Sequence, residues 1–138
     1  MKTRHRLVSN SSSSSFIIIS DKELKFPDYN NNLIVDSTFD GENEFGWGPD
    51  VYNDTESKII FTYLQTTFDK TGSHLKMLED VIKDKCNVSK ITWNVDGYID
   101  HQSSGCEGEN LEMFDSKDAL TNFLFSSSSS INLDNDNH

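Results

Sequence analysis

The fold class is decided by residues 91–99, which read Ile91-Thr92-Trp93-Asn94-Val95-Asp96-Gly97-Tyr98-Ile99. Apolar and polar residues alternate from Ile91 to Val95, which is the period of a strand with one buried face and one face in water. Gly97 marks a candidate bulge. We therefore expect a β-strand over residues 91–99.

Two helices are predicted before this strand. Asn53 and Glu56 have capping-box spacing, and apolar residues then recur at helical intervals, which predicts a helix over residues 54–70. Ser73 is the predicted N-cap of a second amphipathic helix that ends near residue 85. A strand preceded by two helices is typical of a mixed fold rather than of an all-β one.

Further elements are predicted on both sides. The run Phe16-Ile17-Ile18-Ile19 does not alternate, which is typical of a central strand buried on both faces. Leu33-Ile34-Val35 is its predicted hairpin partner. Ser116 is the predicted N-cap of a short third helix, and residues 131–133 are a candidate last strand. The expected fold class is α+β, with a small sheet of three to four strands and two to three helices on one face.

The chain has 138 residues, enough for one domain. We expect a Ser-rich basic arm over residues 1–15, a single acidic α+β domain over residues 16–133, and a frayed tail over residues 134–138. Two interpretations of the first serine run stay open: an unstructured tether, or a turn ordered by side-chain to backbone hydrogen bonds.

Charge is unevenly distributed along the chain. The formal net charge is −11, but residues 21–138 carry nine basic and all 23 acidic residues, a balance of −14. Such a surface repels phosphate, so we expect no direct binding of nucleic acid. The longest apolar run is too short for a membrane span, and serines follow Leu7-Val8 where a signal peptide would be apolar. We expect a cytoplasmic protein that does not bind membranes.

Two acidic stretches, residues 36–56 and 100–118, are almost free of Lys and Arg. An acidic field attracts a basic protein surface, although most acidic proteins are simply well solvated by such charge. The candidate partner-binding residues are Asp36, Asp40, Glu42, Glu44, Asp50, Asp100, Glu107, Glu109 and Glu112.

A weaker alternative to partner binding is a metal site formed by Asp100, His101 and either Glu107 or Glu109, because divalent ions accept carboxylate and imidazole ligands. Asp100 and His101 are consecutive, however, and would point to opposite faces of a strand. The expectation is therefore no cofactor, no metal and no catalytic residue.

Three pieces of the chain carry a resemblance to known proteins. The first piece reads Arg6-Leu7-Val8-Ser9-Asn10-Ser11-Ser12-Ser13-Ser14-Ser15-Phe16-Ile17-Ile18. The others read Tyr98-Ile99-Asp100-His101-Gln102-Ser103 and Asn110-Leu111-Glu112-Met113-Phe114-Asp115-Ser116-Lys117. These pieces resemble a set of uncharacterised proteins from tailed bacteriophages and bacteria. The resemblance covers about a third of the chain and implies origin rather than mechanism: a small accessory product made inside an infected bacterium.

The leading expectation is a non-enzymatic phage accessory protein that binds a host or phage protein with a basic surface, for host takeover or against host defence. One alternative is a virion or assembly component that docks by adding the Phe16 strand to a neighbouring subunit. The other is a metal-dependent hydrolase centred on Asp100 and His101.

Overall fold

The computed structural model describes residues 13–41, 44–45, 50–95, 98–99 and 111–135. The elements in chain order are β1 (Ser13–Ile18), β2 (Asn31–Val35), β3 (Glu44–Phe45), β4 (Asp50–Tyr52), α1 (Thr55–Thr66), α2 (Ser73–Lys85), β5 (Val88–Trp93), β6 (Tyr98–Ile99), a 3-10 turn (Glu112–Phe114), α3 (Lys117–Phe125) and β7 (Ser130–Asn135). The predicted α+β class is confirmed, with a three-stranded sheet and three helices in these residues. None of these described helices has the length and apolar character to cross a membrane.

The three-stranded sheet has the order β1-β7-β4, and both ladders are antiparallel. Ile17 lies opposite Ile131 on the buried face. Phe16 and Ile18 point the other way and are 47% and 45% exposed. The prediction of a central β1 buried on both faces is therefore wrong: β1 lies at an edge of the sheet, and the polar β7 lies at its centre.

The predicted hairpin between β1 and β2 is also wrong, because β2 pairs with β5, and the two strands are parallel. Leu33 and Val35 of β2 are buried. Ile91 and Trp93 of β5 lie on one face, as predicted, but they are only half-buried rather than buried. The strand predicted over residues 91–99 instead begins at Val88 and ends at Trp93, and β6 follows as a separate short strand paired with β3.

α1 begins one residue later than predicted, because Asp54 rather than Asn53 is its N-cap and accepts a hydrogen bond from the Ser57 amide at 2.9 Å. It ends at Thr66, four residues earlier than predicted. The next residues form a turn organised by Asp69. The predicted helix was too long because Phe68 continues the helical spacing of apolar residues beyond the end of α1.

Asp69 joins the end of α1 to the start of α2. Its carboxylate accepts hydrogen bonds from the Thr71 hydroxyl at 2.7 Å and from the His74 amide at 3.0 Å. These hydrogen bonds hold the pKa of Asp69 well below its ordinary value. Gly72 is the N-cap of α2, with a positive φ of 79°, so Ser73 is the first helical residue rather than the cap. The end of α2 at Lys85 agrees with the prediction.

The second serine run forms an ordered turn around a buried lysine. Lys58 of α1 is fully buried, and its Nζ donates to the carbonyl oxygens of Ser126 at 2.6 Å and Ser129 at 3.0 Å. The Ser129 hydroxyl donates to the Asn122 carbonyl at 2.8 Å and accepts from the Ser20 amide at 2.8 Å. This turn therefore ties α1, α3 and the segment after β1 together.

The first serine run is described only from Ser13 onward. Ser13, Ser14 and Ser15 belong to β1 and lie opposite residues 133–135 of β7. These three serines are therefore part of a strand, and the strand starts three residues before the apolar run that predicted it. Serines 9 and 11–12 lie outside the described residues.

A candidate partner-binding site at the carboxyl ends of β2 and β5

Because β2 and β5 are parallel, their carboxyl ends meet at one edge, which is where open sheets commonly place binding groups. Asp36 follows β2 and Asn94 follows β5. The Asn94 amide donates to the Val35 carbonyl at 2.8 Å, which continues the pairing one residue beyond the strand. Asp36, the first carboxylate of the acidic stretch 36–56, therefore directly follows a residue that is hydrogen-bonded to Asn94.

The loop after β2 takes its shape from Asp36. Its Oδ1 atom accepts from the Thr38 amide at 2.9 Å and from the Thr38 hydroxyl at 2.6 Å, and the Phe39 amide donates to the Asp36 carbonyl at 3.0 Å. The hydrogen bonds from Thr38 lower the pKa of Asp36. Asp36 is therefore negatively charged at neutral pH.

The same loop packs closely on the first turn of α1. A Cβ added at Gly41 would lie 2.9 Å from the Glu56 carbonyl carbon and 3.0 Å from the Ser57 amide nitrogen, so the backbone approaches as closely as only glycine allows. The Phe39 ring lies 6.3 Å from that of Tyr29, whose hydroxyl donates to Glu56 at 3.3 Å. Burial raises the pKa of Tyr29, which keeps this donor protonated. The loop thus packs on α1 directly at Gly41, and indirectly where Phe39 contacts Tyr29.

A small cavity of about 80 Å³ opens at this edge. The described residues that line it are Asp36, Ser37, Phe39, Gly41, Ile60, Asn94 and Val95. Pockets for drug-sized ligands have volumes of about 300–1,000 Å³. The cavity is therefore of a size for one side chain or a few solvent molecules, not for a nucleotide or a comparable substrate.

The pairing of β3 with β6 places the first acidic stretch beside the two residues that precede the second one. Glu44 lies opposite Tyr98, and Phe45 lies opposite Ile99. Among the predicted partner-binding residues, Asp36 is half-buried and Asp40 is exposed. Glu44 lies in β3 and Asp50 lies in β4. Four of the predicted residues lie outside the described residues: Glu42, Asp100, Glu107 and Glu109.

Glu112 is exposed but lies elsewhere. It belongs to the 3-10 turn whose Phe114 ring stacks on His74, at a centroid distance of 4.1 Å, near the start of α2. The preceding Leu111 lines a hollow with Gln65 from the end of α1. Since the loop after β2 contacts the opposite end of α1, a helix about 18 Å long by its rise per residue, the structure does not bring Glu112 together with Asp36.

In the part of the chain that the structure describes, no three His, Cys, Asp or Glu side chains lie close enough together to hold a metal ion. The candidate ligands Asp100, His101 and Glu107 lie outside that part. Cys86 is a free thiol buried at the end of α2, and burial raises its pKa to about 12.

Sequence reasoning did not single out Phe39, Gly41 or Asn94 as site residues. Asn94 was assigned to the wet face of a long strand, and its position at the site follows only from the parallel pairing of β2 with β5. The glycine one residue after Asp40 was the available signal for a close backbone contact. Comparisons with models of protein families, with curated proteins and with solved structures found no match to this chain.

Proposed function

We propose that this protein is a non-enzymatic acidic accessory protein of a bacteriophage, and that it binds a basic surface of a protein in the cytoplasm of the infected cell. The observation that carries the proposal is the acidic loop after β2, which holds Asp36 and Asp40 in an interval without Lys or Arg and packs closely on α1 at Gly41. The phage origin rests on the sequence resemblance alone.

Charge supports this assignment. No Lys or Arg occurs between Lys25 and Lys58, and that interval includes the whole loop after β2. Asp36 is ionised, Asp40 is exposed, and the loop that carries them is fixed to α1. A preformed acidic surface speeds encounter with a basic partner, and side chains that are already ordered lose less entropy when they bind.

The experiment is affinity capture with the immobilised full chain from bacterial lysate, followed by mass spectrometry, at low and high salt. We expect a basic protein that is retained at low salt and released at high salt, because exposed charge pairs are screened. The double variant Asp36→Asn with Asp40→Asn should retain clearly less of this protein. Both substitutions remove charge while keeping side-chain size.

A matched control removes the same charge elsewhere. Asp21 and Asp84 are exposed and lie outside both acidic stretches, so Asp21→Asn with Asp84→Asn should leave capture unchanged. Equal losses in the two double variants would mean that only total charge matters. Capture of no basic protein, or capture that salt does not affect, would contradict the proposal.

The second candidate function, a virion or assembly component, is favoured by the edge position of β1. Phe16 and Ile18 are exposed there, and Val51 of β4, which is 61% exposed, lies opposite the same β7 residue, Asn132, as Phe16. An edge strand with exposed apolar side chains can accept a strand from another subunit. Mass spectrometry of purified particles tests this candidate, since an assembly component is present there in stoichiometric amounts.

A further inference from the structure

We infer that the cavity beside Asp36 receives the ammonium group of a lysine side chain from the partner. The inference rests on the proposed function, since it names the group on the basic partner that this site would recognise. Three properties of the cavity support it: its volume, the chemistry of its wall, and the hydrogen bonds that Asp36 already makes.

The volume selects a side chain over a larger ligand. At about 80 Å³ the cavity corresponds to a few solvent molecules, each of which occupies about 30 Å³ in the liquid. An ammonium group with its last methylenes is of this size. The cavity is also held open by fixed backbone, because the loop on one side contacts the first turn of α1 at Gly41.

The wall matches a lysine in both of its parts. Ile60 and Val95 offer apolar surface to the methylenes, and Asp36 offers a charged acceptor to the ammonium. Ser37 and Asn94 also line the cavity, and both residue types carry oxygen acceptors. None of the described lining residues is Lys, Arg or His, so these residues supply no cation of their own to the cavity.

The hydrogen bonds of Asp36 favour lysine over arginine. Both bonds from Thr38 fall on Oδ1, at 2.9 and 2.6 Å, so this oxygen is already engaged in shaping the loop. A guanidinium group binds a carboxylate best through both oxygens at once, whereas an ammonium group needs only one. One remaining oxygen therefore suits the compact charge of lysine.

The test is a titration of the isotopically labelled full chain followed by NMR. The probes are Nα-acetyl-lysine amide and Nα-acetyl-arginine amide, whose side chains are charged, and the uncharged Nα-acetyl-norleucine amide. We expect acetyl-lysine amide to shift the amide signals of Thr38, Phe39 and Asn94 and to bind more tightly than either of the other two. Asp36→Asn should weaken this binding about tenfold, because a charge-assisted hydrogen bond becomes a neutral one.

Asp21→Asn is the control, because Asp21 is exposed, lies outside both acidic stretches and does not line the cavity. It should change binding by less than about twofold, as expected for an exposed charge. Shifts that are absent, that are equal for all three probes, or that persist in Asp36→Asn would overturn the inference. Fluorescence of Trp93, which stacks on Tyr63 at 4.4 Å, checks that the variants are folded.

The outcomes separate this inference from the proposed function. If the lysine probe does not bind while the chain still captures a basic protein in a salt-dependent manner, only the lysine cavity is disproved. If the probe binds at Asp36 but no basic protein is captured, only the proposed partner class is disproved.

Discussion

Lys58→Met tests whether the buried lysine holds the serine turn together. Methionine keeps most of the unbranched apolar length of lysine but donates no hydrogen bond. The carbonyl oxygens of Ser126 and Ser129, now bonded to Nζ at 2.6 and 3.0 Å, would lose that donor in the interior.

The Ser126 carbonyl would keep the hydrogen bond that it accepts from the Ser129 amide at 3.1 Å, so the main loss falls on the Ser129 carbonyl, at about 1–3 kcal/mol for a buried polar group that loses its hydrogen bond. Part of this loss is offset, because methionine avoids the cost of burying an ammonium group. That cost is visible in Lys58 itself, whose pKa burial lowers to about 8. We expect a net loss of about 1–3 kcal/mol, a substantial share of the 5–15 kcal/mol typical of a domain.

Urea unfolding, followed by Trp fluorescence, measures the change. The midpoint should fall by about 1–2 M for the usual dependence of stability on urea. Lys83→Met is the matched control, because Lys83 is exposed on α2, and its midpoint should stay near that of the wild type. A Lys58→Met protein as stable as this control would refute the reasoning.

The pH dependence gives a second signature. In the folded chain Lys58 releases its proton near pH 8, but in the unfolded chain it does so near its ordinary value of 10.5. The unfolded state therefore binds more protons between these values, and stability from this group rises with pH. The stability difference between wild type and Lys58→Met should grow from about pH 8 to about pH 10.5, whereas a constant difference would contradict the assignment.

Three further predictions concern other parts of the fold. Asp69→Asn should lower stability near neutral pH, and the difference from wild type should shrink in urea titrations as the pH falls below about 4, because the folded-state pKa of Asp69 is lowered. Gly41→Ala should cost about 1–3 kcal/mol in thermal unfolding, since the new methyl group meets backbone. In a Cys106→Ser chain, Cys86 should react with a thiol reagent at pH 8 only after denaturant is added, because burial raises its pKa to about 12; rapid labelling of the folded chain would contradict this.

The helices were largely predictable because their signals are local. The predicted N-cap of α1, Asn53, was wrong by one residue, because the adjacent Asp54 is of a type that suits the position equally well. The strands were less predictable, since their positions depend on distant partners. Ile131 is fully buried in the centre of the sheet although its flanks are polar, whereas Phe16 is half exposed at the edge although it begins an apolar run.

Only the chemical character of the site was predictable. The carboxylates Asp36 and Asp40 follow directly from the sequence, but Asn94 is about sixty positions away and joins them only through the parallel pairing of β2 with β5. The separation of Glu112 from Asp36 also depends on tertiary structure, because the two residues lie near opposite ends of α1. Sequence spacing alone does not encode either relation.

The central position of β7 has a consequence for how the chain folds during synthesis. β1 and β4 hydrogen-bond to β7 in the sheet and not to each other, so their sheet partner is absent until residues 130–135 have been translated. Pairing across such sequence distances is slow, and unpaired strand edges are prone to aggregate or to recruit chaperones. Completion of the last strand, rather than emergence of the first, therefore determines when this sheet can form on the ribosome.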